Sequence, residues 1–364
     1  MQTPPKRVGL LTAGGDCPGL NAVIRALAKC MIFEHGITVI GIMDGFKGLV
    51  ENTARELTMD DVSGILTLGG TILGTTNREN PFKYPVRQGQ QIVFQDRSRD
   101  VLETVEKLRL DMLIAIGGDG TQAISHQLQQ KGLRVIGVPK TIDNDLHGTD
   151  LTFGHDTAVT VAAEAIDRIH TTAMSHHRVM VVETMGRYSG WIALRAGIAA
   201  GGDILLIPEI PYHMEAICRK VHQRSEKGRR SSIVVVAEGA KPRGGGVTAR
   251  RTVADASDPI RLGGVGERVA LEIEKATCVE ARATILGHIQ RGGTPTPFDR
   301  ILATRYGVVA AAIAARGESG MMVALHGDEI AAVPLESVAC GPRLVPESSA
   351  LIKAARSVGS SFGD

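Results

Sequence analysis

Residues 8–34 read VGLLTAGGDCPGLNAVIRALAKCMIFE, and this stretch indicates the fold class. An apolar run at Val8–Thr12 is followed by a glycine-rich turn. From Asn21 to Glu34 apolar residues then recur with a helical period. A run without polar alternation is typical of a strand that is covered on both faces. The stretch therefore predicts a strand, a tight turn and a helix in succession, which is one βα unit.

The same order recurs along most of the chain. The predicted strands are Val8–Thr12, Thr38–Met43, Met112–Ile116, Val135–Val138, Val179–Glu183, Ile204–Ile207, Ile233–Ala237, Ala283–Leu286 and Met322–Leu325. The predicted helices are Asn21–Glu34, Arg99–Leu108, Ala158–Thr171 and Asp299–Arg316. This alternation predicts an α/β protein of stacked βαβ units, with mainly parallel sheets and helices outside.

Length and composition narrow the class of protein. The 364 residues exceed one average domain, and the hydrophobic fraction of 43% argues against intrinsic disorder. A net charge of +2 gives no support for a nucleic-acid or membrane partner. The five cysteines form no CxxC pair, which is typical of reduced thiols. With no signal-peptide pattern and no apolar run of roughly 18 residues, we expect a soluble, cytoplasmic protein.

Three glycine-rich turns follow predicted strands, where ligands of such sheets collect. The first, Thr12–Asn21, combines small residues with a helix N-terminus, which suits a phosphate, although a plain tight turn explains it as well. The second, Leu68–Arg78, ends in an arginine that can neutralise a phosphoryl group. The third, Ile116–Thr121, places Asp119 among glycines, where a carboxylate suits Mg²⁺. Its GGDGT pattern also resembles NAD kinases and lipid kinases, so it indicates a phosphoryl donor without fixing the acceptor.

Acidic and basic residues follow the later strands. Residues 139–145 read PKTIDND, and Asp143 is a candidate base for phosphoryl transfer to an alcohol, with Asp145 orienting the loop or a metal ion. An Asx-rich turn is the structural alternative. Residues 185–190 (MGRYSG), 237–239 (AEG) and 287–293 (GHIQRGG) supply arginines, a glutamate and a histidine suited to a sugar phosphate.

In these motifs the chain resembles the ATP- and pyrophosphate-dependent 6-phosphofructokinase family. The motifs follow the family's order from about Val8 to Arg305: GGDCPGLNA (14–22), GGTILGT (69–75), GGDGT (117–121), PKTIDND (139–145), MGRYSG (185–190), AEG (237–239) and GHIQRGGTP (287–295). The resemblance implies two doubly wound α/β domains with an active-site cleft between them. A donor-binding domain is expected at 1–154 plus roughly 290–335, and a fructose 6-phosphate-binding domain at 155–289 plus the C-terminal tail.

The resemblance also implies the roles of individual residues. Asp143 is expected to act as the base, Thr141 to lie near the transferred phosphoryl group and Arg187 to stabilise its charge. Asp119 is expected to hold Mg²⁺. The expected donor-binding residues are Gly14, Arg78, Gly117, Gly118, Gly120, Thr121 and Lys140. The expected substrate-binding residues are Thr141, Asp143, Asp145, Arg178, Met185, Gly186, Arg187, Glu238, Arg282, His288 and Arg291.

Arg178 and Arg282 match family arginines that reach the 6-phosphate across a subunit boundary. The resemblance therefore implies a homodimer or homotetramer with shared active sites.

Two positions bear on the phosphoryl donor. Gly120 resembles the ATP users, since a carboxylate there would crowd and repel the α-phosphate, whereas Lys140 resembles the pyrophosphate users. We give Gly120 more weight and predict a 6-phosphofructokinase that uses MgATP. The alternatives are a pyrophosphate-dependent enzyme, an enzyme that phosphorylates sedoheptulose 7-phosphate, and a non-catalytic sugar-phosphate or nucleotide sensor.

Overall fold

A computed structural model describes residues 3–89, 91–252 and 260–364. Its strands are β1 (Arg7–Thr12), β2 (Thr38–Ile42), β3 (Ala54–Leu57), β4 (Tyr84–Gln88), β5 (Gln91–Gln95), β6 (Met112–Gly117), β7 (Val135–Pro139), β8 (Val179–Thr184), β9 (Ile204–Leu206), β10 (Ser232–Ala237), β11 (Ala249–Thr252), β12 (Ile260–Leu262), β13 (Ala281–Ile285), β14 (Met321–His326) and β15 (Glu329–Pro334). Its α-helices are α1 (Leu20–His35), α2 (Phe46–Glu51), α3 (Ser98–Lys107), α4 (Asp119–Gln130), α5 (His155–His176), α6 (Trp191–Ala199), α7 (Met214–Glu226), α8 (Val265–Thr277), α9 (Pro297–Ala315), α10 (Leu335–Val338) and α11 (Ala350–Ser357), and a 3₁₀ turn covers Gly287–Gln290.

The chain forms two compact units. Of the described residues, unit 1 comprises 3–156 and 291–342, and unit 2 comprises 157–252, 260–290 and 343–364. The chain therefore passes from unit 1 into unit 2 after residue 156, returns to unit 1 at residue 291, and ends in unit 2 from residue 343. The assignment of donor and sugar phosphate to separate domains stays a prediction.

Unit 1 is built on a seven-stranded sheet in the order β15-β14-β7-β6-β1-β2-β3. The five inner strands are parallel, and the edge strands β15 and β3 are antiparallel to their neighbours. From β1 the chain continues to β2 on one side and later to β6 on the other. The strand order therefore reverses between β1 and β6, and in open α/β sheets such a point is where ligands bind.

The core of unit 1 follows from its apolar strands. All of β6 and β7 is buried, as expected of strands covered by helices on both faces. Helices α1 and α9 pack closely, because α9 has a glycine at the contact: a Cβ on Gly307 would lie 2.7 Å from the Cβ of Ala26. These buried elements form a rigid base for the loops at the carboxyl edge of the sheet.

Unit 2 is built on a parallel four-stranded sheet in the order β13-β8-β10-β9. Strands β8 and β10 are buried over their whole length, and α7 and α8 pack beside them. The C-terminal residues 343–364 also belong to this unit, where Ser361 pairs with Ile204 of β9 and Phe362 is fully buried.

These observations confirm the predicted α/β class with mainly parallel sheets. The stretch 255–266 is rich in glycine, proline and charge, and its sequence predicts a loop. This prediction is wrong at its end, because Ile260–Leu262 form β12 and α8 begins at Val265. Residues 255–259 of that prediction lie outside the described residues. Within the described part of the chain, no helix combines the length and hydropathy needed to cross a membrane.

Candidate active site

In unit 1 the predicted donor loops meet at one edge of the sheet. The strand register pairs Thr12 with Ile116 and Gly117 with Pro139, so the loops after β1, β6 and β7 begin side by side. The N–H of Lys140 donates to the carbonyl oxygen of Gly117 over 3.0 Å, which extends the pairing beyond β7. These loops flank the point at which the strand order reverses.

Two cations hold the backbone of the first loop. The Lys140 ammonium donates to the carbonyl oxygen of Gly15 over 2.5 Å, and the Arg291 guanidinium donates to that of Asp16 over 2.9 Å. Lys140 is only 4% exposed, and burial lowers the pKa of its ammonium. Burial also raises the pKa of the neighbouring Cys17 thiol to about 12, so this cysteine stays protonated.

The second loop, residues 68–78, is hydrogen-bonded to the first loop, residues 12–21. Gly14 donates its N–H to the carbonyl oxygen of Thr76 over 3.0 Å and accepts a bond from the Thr75 hydroxyl over 2.7 Å. The Asn21 side chain also binds this loop, donating to the carbonyls of residues 68 and 69 and accepting from the N–H of residue 72. Arg78 is exposed at its end. Sequence reasoning assigned no role to Asn21, although it lies in the quoted motif.

The third loop leads directly into a helix. Asp119 is the first residue of α4, and its acidic side chain suits the positive end of the helix dipole. A Cβ on Gly117 would lie 2.2 Å from the hydroxyl oxygen of Thr121, so this close approach requires glycine. At Gly120, by contrast, an added Cβ would meet no atom of the described residues within 4 Å. Position 120 therefore faces open space.

The acidic loop, residues 139–145, is held by hydrogen bonds of its own Asn144 and of Thr152. Asn144 adopts a left-handed conformation with φ 52°, which asparagine tolerates better than most residues. Its Oδ1 accepts the Thr152 N–H over 3.0 Å, and the Thr152 hydroxyl donates to the Thr141 carbonyl over 2.7 Å. Asp143 and Asp145 lie on either side of this anchored residue, which fixes the backbone that carries both carboxylates.

Three carboxylates of unit 1 lie close enough to repel one another. Burial, the largest cause, and the charges of Asp143 and Asp119 together raise the pKa of Asp145 to about 7. The Thr141 hydroxyl donates to Asp145 over 3.1 Å and partly opposes the shift. A divalent cation with a preference for oxygen ligands would relieve this repulsion, so the residues present fit Mg²⁺.

In unit 2 five of the predicted acceptor residues follow the carboxyl ends of β8, β10 and β13: Met185, Gly186, Arg187, Glu238 and His288. The Met185 N–H donates to the Gln290 side chain over 3.4 Å, and the Gly239 N–H donates to the Gly186 carbonyl over 3.1 Å. These contacts join the turn 185–190 to the loops that carry Glu238 and His288.

The side chains of this edge differ in exposure. Arg187 is half-buried, with its guanidinium 5.3 Å from the centre of the Tyr188 ring, and His288 is exposed. Arg291, predicted beside His288, belongs to unit 1 and contacts the Asp16 loop. Gln290, fully buried, is a residue that sequence reasoning missed.

Arg178 and Arg282 lie near the amino ends of the strands of the same sheet, opposite the carboxyl ends that carry the turn 185–190. Arg178 precedes β8 and Arg282 is near the start of β13, whereas Met185 follows the end of β8. Seven residues of extended chain span roughly 23 Å, so a single chain does not bring Arg178 and Met185 together. Glu280 binds both arginines, at 2.7 Å from Arg178 and 2.5 Å from Arg282.

Residues 7–314 match the model of a protein family described as phosphofructokinase. The chain belongs to the phosphofructokinase family. Among related phosphofructokinases, "ATP-dependent 6-phosphofructokinase 2" of Clostridium perfringens is 48% identical, with both chains fully covered. "ATP-dependent 6-phosphofructokinase" of Chloroflexus aurantiacus is 52% identical over 100% of this chain and 99% of that protein.

Solved phosphofructokinase structures share the fold. Pichia pastoris phosphofructokinase in the T-state matches with a TM-score of 0.78 and 32% identity over 93% of this chain, which spans 36% of the Pichia chain. A pyrophosphate-dependent phosphofructokinase from Marinobacter aquaeolei matches with a TM-score of 0.79 over 98% of this chain and 88% of its own. At 20% identity, the latter likeness bears on the fold alone.

Proposed function

We propose that this chain is an ATP-dependent 6-phosphofructokinase, which transfers the γ-phosphoryl group of MgATP to the 1-hydroxyl of fructose 6-phosphate. The acceptor and the donor are assigned from relatives that are named ATP-dependent 6-phosphofructokinase. These relatives are about 50% identical to this chain over essentially their full length. The open space at Gly120 supports ATP as the donor. ATP is larger than pyrophosphate, and its α-phosphate and nucleoside need room that pyrophosphate does not.

The donor would lie on the loops after β1 and β6. Their glycines allow close approach of the backbone, and the N-termini of α1 and α4 favour negative charge. Gly14, Gly117, Gly118, Gly120 and Thr121 would contact phosphate groups, with Arg78 beside them. Lys140 would act by fixing the Gly15 carbonyl and by adding positive charge. Asp119 would hold Mg²⁺, which when bound neutralises phosphate charge and orients the donor.

The acceptor side supplies the chemistry. Asp143 would accept the proton of the 1-hydroxyl. The oxygen of that hydroxyl would bond to the γ-phosphorus while the bond between the γ-phosphorus and the ADP oxygen breaks. Thr141 would lie near the transferred group and Arg187 would stabilise its charge. The remaining sugar-phosphate contacts would come from Asp145, Met185, Gly186, Glu238, His288 and Arg291.

We also propose a homo-oligomer, a dimer or tetramer, with shared active sites. Arg178 and Arg282 lie across the sheet from the turn that carries Arg187, so their use in the same site requires a second chain. Subunit complementation tests this: an Arg282→Ala chain and an Asp143→Asn chain, each inactive alone, would regain activity when refolded together. Mixed oligomers without regained activity would contradict sharing. A cytoplasmic location stays a prediction.

One experiment tests the donor and the acceptor together. Initial rates would be compared for ATP and pyrophosphate at equal Mg²⁺, each with fructose 6-phosphate and with sedoheptulose 7-phosphate. We expect the highest kcat/KM for ATP with fructose 6-phosphate. A preference for pyrophosphate would favour the donor suggested by Lys140, and a higher kcat/KM for sedoheptulose 7-phosphate would replace the acceptor. Binding without turnover for any pair would indicate a sensor.

A further inference from the structure

A partly buried carboxylate lies behind the turn 185–190. Glu209 follows β9, and its two oxygens accept the N–H of Gly190 over 3.0 and 3.1 Å. One of them also accepts the N–H of Val345 over 2.8 Å. Gly190 is both the last residue of the turn and the N-cap of α6, so the carboxylate lies at the positive end of a helix dipole.

The bonding at Glu209 favours a carboxylate over an amide, because both of its oxygens lie within hydrogen-bond distance of a backbone N–H. Burial raises the pKa of the Glu209 carboxyl, while its bonds from Val345 and Gly190 lower it. Among the described residues its partners are N–H groups, with no ion pair to a basic side chain. A glutamine would offer one acceptor oxygen, and its NH₂ group would face a backbone donor. One Glu209 oxygen therefore accepts both N–H groups, and the second oxygen shares the Gly190 N–H, at a place where an amide NH₂ would meet another donor.

The C-terminal segment is bound to the same place. Besides Val345, the carbonyl oxygen of Arg343 accepts the Trp191 indole N–H over 3.2 Å, and the Arg343 guanidinium lies 5.3 Å from the centre of the Trp191 ring. Further along, the Leu205 N–H donates to the Ser361 carbonyl over 2.8 Å. The segment 343–364 is thus attached both to β9 and to the start of α6.

The other end of the turn is equally constrained. Gly239 donates its N–H to the Gly186 carbonyl, and a Cβ on Gly239 would lie 2.0 Å from the Arg187 carbonyl oxygen. A Cβ on Gly190 would in turn lie 2.4 Å from the Ile207 side chain. Because both ends are packed against backbone or side chains, we expect a shift of Gly190 to move Arg187, which lies between them.

We infer that Glu209 is a positioning residue for the reaction, which holds the turn carrying Arg187 against the C-terminal segment and so sets the affinity for the sugar phosphate. This inference rests on the proposed function, in which Arg187 meets the acceptor. Glu209 itself acts through the N–H groups of Gly190 and Val345.

The test is Glu209→Gln, measured with both substrates. We expect the KM for fructose 6-phosphate to rise roughly tenfold, which is the effect of losing about one charge-assisted hydrogen bond, with the KM for ATP within about twofold of wild type. The matched control is Asp203→Asn. Asp203 is also a partly buried carboxylate that accepts a backbone N–H, that of Ile233 over 2.9 Å, and it differs in its ion pair with Arg224 at 2.6 Å and in its place before β9, at the amino ends of the strands. This control would lower stability and leave both KM values unchanged.

A second variant covers the case in which Glu209→Gln does not fold. Trp191→Phe keeps an aromatic ring but loses the indole N–H donor to Arg343 and part of the ring beneath the Arg343 guanidinium, while Glu209 stays in place. We therefore expect a smaller rise in the same KM. Faster amide exchange over 185–190 in the Glu209 variant would support the inference independently of activity. Unchanged KM for fructose 6-phosphate in both variants, or an equal rise in both KM values, would overturn it. An inactive wild type would instead refute the proposed function, and the inference with it.

Discussion

The Arg291 guanidinium donates a hydrogen bond to the carbonyl oxygen of Asp16 over 2.9 Å. The donor loop therefore depends on a side chain that the sequence assigned to the sugar phosphate. We predict that Arg291→Ala raises the KM for ATP as well as that for fructose 6-phosphate, each roughly tenfold, since a lost charged hydrogen bond costs about 1.5–3 kcal/mol. Steady-state kinetics measures both. Arg305→Ala, which removes a surface ion pair with Asp328, is the control, and an unchanged KM for ATP would contradict the prediction.

Asp143→Asn tests the base. A positioned base contributes roughly 10²- to 10⁴-fold, so we expect kcat to fall by that factor while circular dichroism and thermal midpoint stay close to wild type. Asp150→Asn is the matched control, because Asp150 is an exposed acid of the same region whose carboxylate accepts the Gly327 N–H over 2.8 Å. Wild-type turnover in the Asp143 variant would remove this residue from the role.

Because a side chain at position 120 would meet open space, substitutions there can distinguish the effect of an added charge from that of added size. We predict that Gly120→Asp folds normally and raises the KM for ATP at least about tenfold, because a carboxylate repels the donor phosphates. Gly120→Ala adds a methyl group without charge and is expected to have a smaller effect. A shift of preference toward pyrophosphate in the Asp variant would strengthen the argument. Equal KM values for ATP in the Asp variant and wild type would refute it.

The buried ammonium of Lys140 is expected to make the free energy of unfolding depend on pH. Burial lowers its pKa in the folded chain, so between that pKa and the usual value of roughly 10.4 the unfolded chain binds more protons. The free energy of unfolding of wild type, relative to Lys140→Met, is therefore expected to rise with pH through this window. Urea denaturation at several pH values measures the difference. A difference that is constant, or that falls with pH, would contradict the burial argument.

The parallel strands were predictable because they are continuous apolar runs. The strands that were missed are short, polar or antiparallel: β5 reads QIVFQ and is mostly exposed, and β4 contains Pro85. Their pairing depends on a neighbouring strand more than on their own composition, which is why local pattern gives no signal for them.

The candidate site was predictable to the level of loops. Parallel strands present their carboxyl ends at one edge, so glycine loops and acidic residues after successive strands are expected to meet there. The contact of Arg291 with Asp16 was not predictable, since 275 residues separate them. Nor was the left-handed conformation of Asn144 or the place of Glu209, because each depends on partners that folding alone brings near.

The division of unit 1 along the chain has a consequence for biosynthesis. Strand β7 ends at Pro139, whereas its neighbour β14 begins at Met321, after nearly all of unit 2 has been translated. At about 5–20 residues per second, the edge of β7 stays without its partner strand for roughly 10–40 seconds on the ribosome. An open apolar edge of this kind invites pairing with other chains. Nascent chains halted before Met321 would therefore be the most aggregation-prone products of an interrupted translation.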